Sequence, residues 1–128
     1  MSPDVILQKM RALRQSSVEL GNGRAMIIMR PSALQVSRDI IRPATRADGS
    51  QVFDIVFDTD KLHQHVVDWR GMTEDDLLQN GSTDAVPFAP QLAQELLACN
   101  VDWLHKVLAA LQAAVVQQIE ARAQDEKN

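Results

Sequence analysis

Two histidines, His63 and His65, stand two residues apart in the chain, with Asp60 and Asp68 close by. These are ligand types that zinc and other transition metals accept. The spacing works against a shared ion. On a helix, positions 63 and 65 point about 200° apart. On a strand they share a face, but Asp60 and Asp68 then point away from it. Asp58-Thr59-Asp60 opens like a calcium loop, which next needs an oxygen ligand at 62 and a glycine at 63. Leu62 and His63 occupy those positions, so the pattern fails. Glu74-Asp75-Asp76 has the types for a cation site or an acid–base pair. The first turn of a helix capped by Thr73 explains it without further assumption, because the carboxylates oppose the positive end of the dipole. Cys99 could be paired with His63, His65 or His105 as nucleophile and base. Nothing nearby activates the thiol, and a single cysteine near the end of an apolar helix reads as a small hydrophobe. Gly21-Asn22-Gly23 is too short for a phosphate-binding loop, and no lysine follows it. No catalytic, cofactor-binding or metal-ligating residue is assigned, and a non-enzymatic protein without a cofactor is expected.

The elements that would position these groups are more legible. Residues 3 to 15 read as an amphipathic helix with Ser2 as N-cap and Pro3 at its first position. Ile6, Met10 and Leu13 form its apolar face, widened by Leu7. Gly21-Asn22-Gly23 predicts a hairpin turn, since these residues accept positive φ. Val18 and Leu20 alternate on the first arm; the second, Ala25 to Met29, is apolar throughout and should be covered on both faces. Pro31-Ser32 opens a candidate helix to about Ile41, with Leu34, Ser37, Arg38 and Ile41 at helical spacing. Pro43 stops it, and RPATRADGS reads as an exposed loop. Between Gln51 and Asp68 the pattern is ambiguous. Phe53, Ile55 and Phe57 alternate as in a strand, whereas Val52, Ile55, Val56, Thr59, Leu62, Val66 and Trp69 keep a helical period. A strand over 52–57 and a helix from Thr59 to Asp68, ended by Gly71, is the preferred reading.

Further along, Thr73 caps a short helix that stops by Gly81. Pro90 begins a helix through Leu92, Leu96 and Leu97. Asn100 interrupts it, and Asn100 or Asp102 caps a longer one carrying Leu104, Val107, Leu108, Leu111, Val115 and Ile119 at steps of three and four. That stripe reads first as the main core helix and second as a face shared with a partner. Trp103 fits either role. The expected fold is mainly α with a small N-terminal β-hairpin (α+β), a single domain over 1–122 ending in a long amphipathic helix, with a disordered charged tail at 123–128.

Composition narrows the function class. The chain has 128 residues, 45% of them hydrophobic, enough for one domain with a genuine core. Aromatic residues make up only 4%, so Leu, Ile, Val, Met and Ala must fill that core. Net charge is −4, which disfavours a non-specific nucleic-acid surface. The basic residues from 24 to 46 (Arg24, Arg30, Arg38, Arg42, Arg46) keep a nucleic-acid or regulatory module as the alternative. The single cysteine excludes an internal disulfide. No run approaches the roughly 20 apolar residues of a membrane span. The opening MSPDVILQKM is not expected to be a signal peptide, since an acid falls early and no cleavage box follows.

A set of boxes adds a family resemblance. Val66-Val67-Asp68-Trp69-Arg70-Gly71-Met72 leads into an acidic turn from Glu74 to Gly81. Val86-Pro87-Phe88-Ala89-Pro90 then precedes Leu96-Leu97 and Trp103-Leu104. This order resembles the tail assembly chaperones of long-tailed siphophages, strongly over about a third of the chain. Ala89 departs from the family, which often has Ser or Thr there as the helix N-cap. The resemblance implies a non-enzymatic late protein of virion assembly in the host cytoplasm. It would bind and solubilise the tape measure protein, help the tail tube protein polymerise around it, and act as a homo-oligomer. It also implies a longer frameshifted product joined near the C-terminus. Partner contacts are expected along Trp103, Leu104, Val107, Leu108, Leu111, Val115 and Ile119. Trp69, Gly71, Pro87, Phe88 and Pro90 are expected to be structural anchors.

Overall fold

In a computed structural model, residues 1–127 are described. Helix accounts for 53% and strand for 24%, so the protein is mixed α and β with small antiparallel sheets and a long C-terminal helix. Helix α1 (Pro3–Leu13) begins at Ser2, whose Oγ accepts the Val5 N–H at 3.3 Å. Strands β1 (Gln15–Gly21) and β2 (Arg24–Met29) form the hairpin expected at Gly21-Asn22-Gly23, where all three residues take positive φ. β2 is the central strand of a three-stranded antiparallel sheet, because β5 (Val66–Arg70) pairs along its other edge. Register places Val18 opposite Met26 and Met26 opposite Trp69, giving one continuous apolar row. Of the second face of β2, Ala25 is buried and Ile27 and Met29 are only half-buried.

The strand β5 corrects the helix expected from Thr59 to Asp68. A tight 3-10 helix occupies Thr59–His65, with Asp58 Oδ1 accepting the Asp60 N–H at 3.0 Å, and the chain is extended from Val66 onwards. Free edge groups on β2 decide the matter, since pairing satisfies both strands' backbone donors and acceptors at once. Gly71 therefore follows a strand and ends no helix.

A second departure concerns RPATRADGS. Its first part is strand β3 (Ile41–Thr45), paired antiparallel with β4 (Gln51–Ile55), and only the turn between them is a loop. Pro43 is tolerated because this two-stranded ribbon consists of edges. Before it, Ser32 Oγ accepts the Gln35 N–H at 3.2 Å and starts α2 (Ala33–Gln35). The chain then widens into a π-helical turn, Val36–Ile40, where the Ile41 N–H returns to the Val36 carbonyl. Its buried residues are Val36 and Ile40, while Leu34, one of the residues noted at helical spacing, is exposed.

Helix α3 (Glu74–Leu78) is short, and Asp76 accepts from both the N–H and the hydroxyl of Thr73 at 2.9 and 3.1 Å. It stops at Gln79 in the left-handed region (φ 56°), earlier than the expected stop at Gly81. Helix α4 (Pro90–Cys99) has no side-chain cap at Ala89. Asn100 breaks the chain and caps α5 (Val101–Lys127), its Oδ1 accepting the Trp103 N–H at 3.1 Å. At about 1.5 Å per residue α5 is roughly 40 Å long. It continues through the charged segment 123–127 read as a disordered tail; Asn128 lies outside the described residues.

The main core lies between the sheet and the two last helices. Val18, Leu20, Met26, Ile28, Val66 and Trp69 face Ala93, Leu96 and Leu97 of α4 and Trp103, Val107 and Leu111 of α5. Further along α5, Val115 closes a second cluster with Val36 and Ile40. One long helix thus joins the sheet to the β3–β4 ribbon.

Candidate functional site

The residues with ligand or nucleophile chemistry do not converge. Among the described residues, no three His, Cys, Asp or Glu side chains group closely enough to hold an ion. His63 and His65 lie on the 3-10 helix. His65 packs edge-on against Phe57, ring centroids 5.8 Å apart. Burial pushes its pKa below the ordinary value, while a hydrogen bond with the Met29 backbone acts in the other direction. As pH falls, the unfolded chain therefore takes up this proton first. Stability is complete above the unfolded value of about 6.5 and is lost as pH falls through the lower folded value. A His65→Gln variant is expected to flatten that part of the pH–stability curve measured by urea denaturation. Cys99, expected to be a packed hydrophobe, is exposed at the last residue of α4.

The arginines from 24 to 46 separate into distinct tasks. Arg38 is tied to its neighbour Asp39 by a 2.9 Å ion pair. A cleft of about 550 Å³ is lined by both signs of charge, Arg38, Arg42 and Lys61 with Asp39 and Asp58. Arg24 bonds Asp76 of α3 at 2.8 Å and lies over the Trp103 ring of α5, 5.3 Å from its centroid. It fastens β2 to two helices at once. Arg24→Ala is expected to lower the unfolding free energy by about 2 kcal/mol. Arg24→Lys should recover only part of this, because an ammonium cannot lie flat on an indole. Chemical denaturation of both variants checks the ordering.

Trp103, Val107, Leu111 and Val115, expected to meet a partner, are buried within the molecule, and Leu104, Leu108 and Ile119 are partly buried beside them. The α5 stripe is spent on the protein's own core. The anchors are placed differently. Trp69 is buried, its Nε1 donating to the Val86 carbonyl at 2.8 Å, and Phe88 meets its ring edge-to-face at 5.3 Å. Pro87 and Pro90 are exposed, and Pro90 takes the first position of α4, where its fixed φ fits the helix. Gly71 packs against the Gly23 backbone.

The surface without an internal partner is α1. None of its residues is buried, and Ile6, Leu7, Met10 and Leu13 are 44%, 44%, 59% and 75% exposed. Helical geometry sets these four in one stripe, with Lys9 along one side and Arg11 along the other. The C-terminal end of the helix is tied to the sheet by reciprocal bonds at the junction with β1. Arg30 Nε donates to the Arg14 carbonyl and Arg14 Nε to the Arg30 carbonyl, both at 3.2 Å, and Arg30 Nη2 also donates to the Leu13 carbonyl. A contiguous exposed apolar face of this kind is typical of surfaces that meet another molecule.

A second apolar surface lies at the other end of the sheet. Leu77 and Leu78 of α3, Val86, Pro87 and Leu92 line a cleft of about 330 Å³ with Glu74 at its rim. An isolated bridge between Thr73 and Ala85 holds its two walls together. The sequence signal for α1 was its amphipathic period, while nothing in the sequence announces this cleft. Comparison with protein families, with curated proteins and with solved structures found no match to this chain.

Proposed function

We propose that this protein is a non-enzymatic assembly chaperone of the siphophage tail type. It acts as a multimer that binds the tape measure protein, keeps that long helical client soluble, and helps the tail tube protein polymerise around it. The observation that carries this reading is the apolar face of α1, presented on a clamped junction and left uncovered by the rest of the chain. A binding protein needs such a surface, whereas catalysis needs converging polar groups. The resemblance in the Val66–Met72 and Val86–Pro90 boxes supplies the identity of the client. These boxes touch through the Trp69–Val86 hydrogen bond, which suits an architectural role for them. The nucleic-acid alternative has less support, because Arg24, Arg30 and Arg38 are engaged within the molecule.

A tagged pull-down from infected cells, read by mass spectrometry, tests the proposal. The expected result is one very long helical protein together with the tail tube subunit. Recovery of neither, with the tagged chain soluble, overturns it.

A further inference from the structure

The α1 stripe and the α3–Leu92 cleft match each other in charge as well as in character. The α1 stripe is edged by Lys9 on one side and by Arg11 on the other, with Asp4 two turns before Arg11 at the start of the helix. The cleft of Leu77, Leu78, Val86 and Leu92 is rimmed by Glu74, and Asp84 sits beside it, its carbonyl accepting the Glu74 N–H at 2.9 Å. No cation lines the cleft among the described residues. We infer that α1 of one copy of this chain docks into the α3–Leu92 cleft of the next, with Lys9 and Arg11 meeting Glu74 and Asp84.

The fold prevents the same contact within one molecule. Leu13 and Arg14 are clamped by Arg30 where β1 starts, beside Met29. The cleft lies past the opposite end of the sheet, where Gly71 packs on Gly23 and α3 begins. β1 separates the two by about 20 Å at 3.3 Å per residue. Helix α1 is only about 16 Å long at 1.5 Å per residue, so it cannot lay its stripe in its own cleft. Opposite placement makes the contact heterologous, so every copy offers one helix and one cleft and the assembly grows into a ring or a filament. This inference deepens the self-association in the proposed function and concerns no client.

Sedimentation of two exposed-site variants decides it. Met10→Asp spoils the helix stripe and Leu78→Asp spoils the cleft. Both positions are more than half exposed, so circular dichroism and thermal melting should match the wild type. The wild type is expected to grow past a dimer with rising concentration, and each variant alone to remain a monomer. Mixed in equal amounts, they should form a one-to-one dimer that grows no further, since one intact helix and one intact cleft survive. Lys9→Glu with Arg11→Glu, which leaves the apolar stripe in place, should weaken association at least tenfold. A monomeric wild type at hundreds of micromolar overturns the inference. So does a Leu78→Asp variant that still associates, which points to α1 pairing with α1, or a mixture that stays monomeric. Client recovery in the pull-down is a separate readout, so one idea can fail while the other stands.

Discussion

Trp69→Ala is expected to lower the unfolding free energy by about 3–5 kcal/mol, the range for removing a buried large aromatic side chain. Trp69 is 6% exposed and joins three parts of the structure. Its ring lies in the row with Met26 and Val18, Phe88 packs on its face, and its Nε1 bonds the Val86 carbonyl. Truncation leaves a cavity at the sheet and strips that carbonyl of its partner. Trp69→Phe keeps most of the packing and loses the hydrogen bond, so about 1–2 kcal/mol is expected. Urea denaturation of the two variants gives the comparison. An unchanged midpoint for the alanine variant would place Trp69 on the surface. It would also remove the idea that the Val66–Met72 box is architectural.

The second large effect is expected at Gly71. Its φ is +72°, where an L side chain costs about 1–2 kcal/mol. A Cβ there would also sit 3.0 Å from the Gly23 carbonyl carbon and closer still to its oxygen. Both are backbone atoms of a tight hairpin turn and cannot rotate away. Gly71→Ala should therefore cost about 3 kcal/mol or more, conformation and collision together. Gly81 is the control. Its φ is +76°, but nothing lies within 4 Å of the added carbon, so Gly81→Ala should cost only about 1–2 kcal/mol. Equal losses at the two glycines would show that the Gly71–Gly23 approach contributes nothing.

Local chemistry made several elements legible in the sequence. Gly21-Asn22-Gly23 reads as a turn, Ser2 and Pro3 suit the start of a helix, and Asn100 breaks one helix and, with Asp102 as the alternative, can cap the next, as it does. Long-range partners made the others illegible. Val66 and Trp69 satisfy a helical and an extended period alike, and the free edge of β2 chooses between them. β3 reads as a loop because its residues are polar and include Pro43, yet a ribbon needs only backbone pairing. The candidate site was half visible for the same reason. Periodicity reveals that a helix has an apolar face without saying what covers it. The α5 face, read first as core and second as a partner face, packs in the chain's own core, while the α1 face is left bare. Arg24 gave no signal, since its partners Asp76 and Trp103 are distant in sequence.

The ribbon of β3 and β4 has a consequence for how the chain reaches this fold. β1 and β2 meet across a two-residue turn and can pair within microseconds. β5 must wait for the intervening residues 30–65 to close into a loop. A ribbon formed early within that loop takes residues 41–55 out of the searching chain, lowering the entropy of closure by about 0.5 kcal/mol. Each hairpin is local and the third strand is not, so the order of events is nested. Two quick turns form first, and Trp69 arrives last to complete the sheet of β1, β2 and β5, while the β3–β4 ribbon stays a sheet of its own.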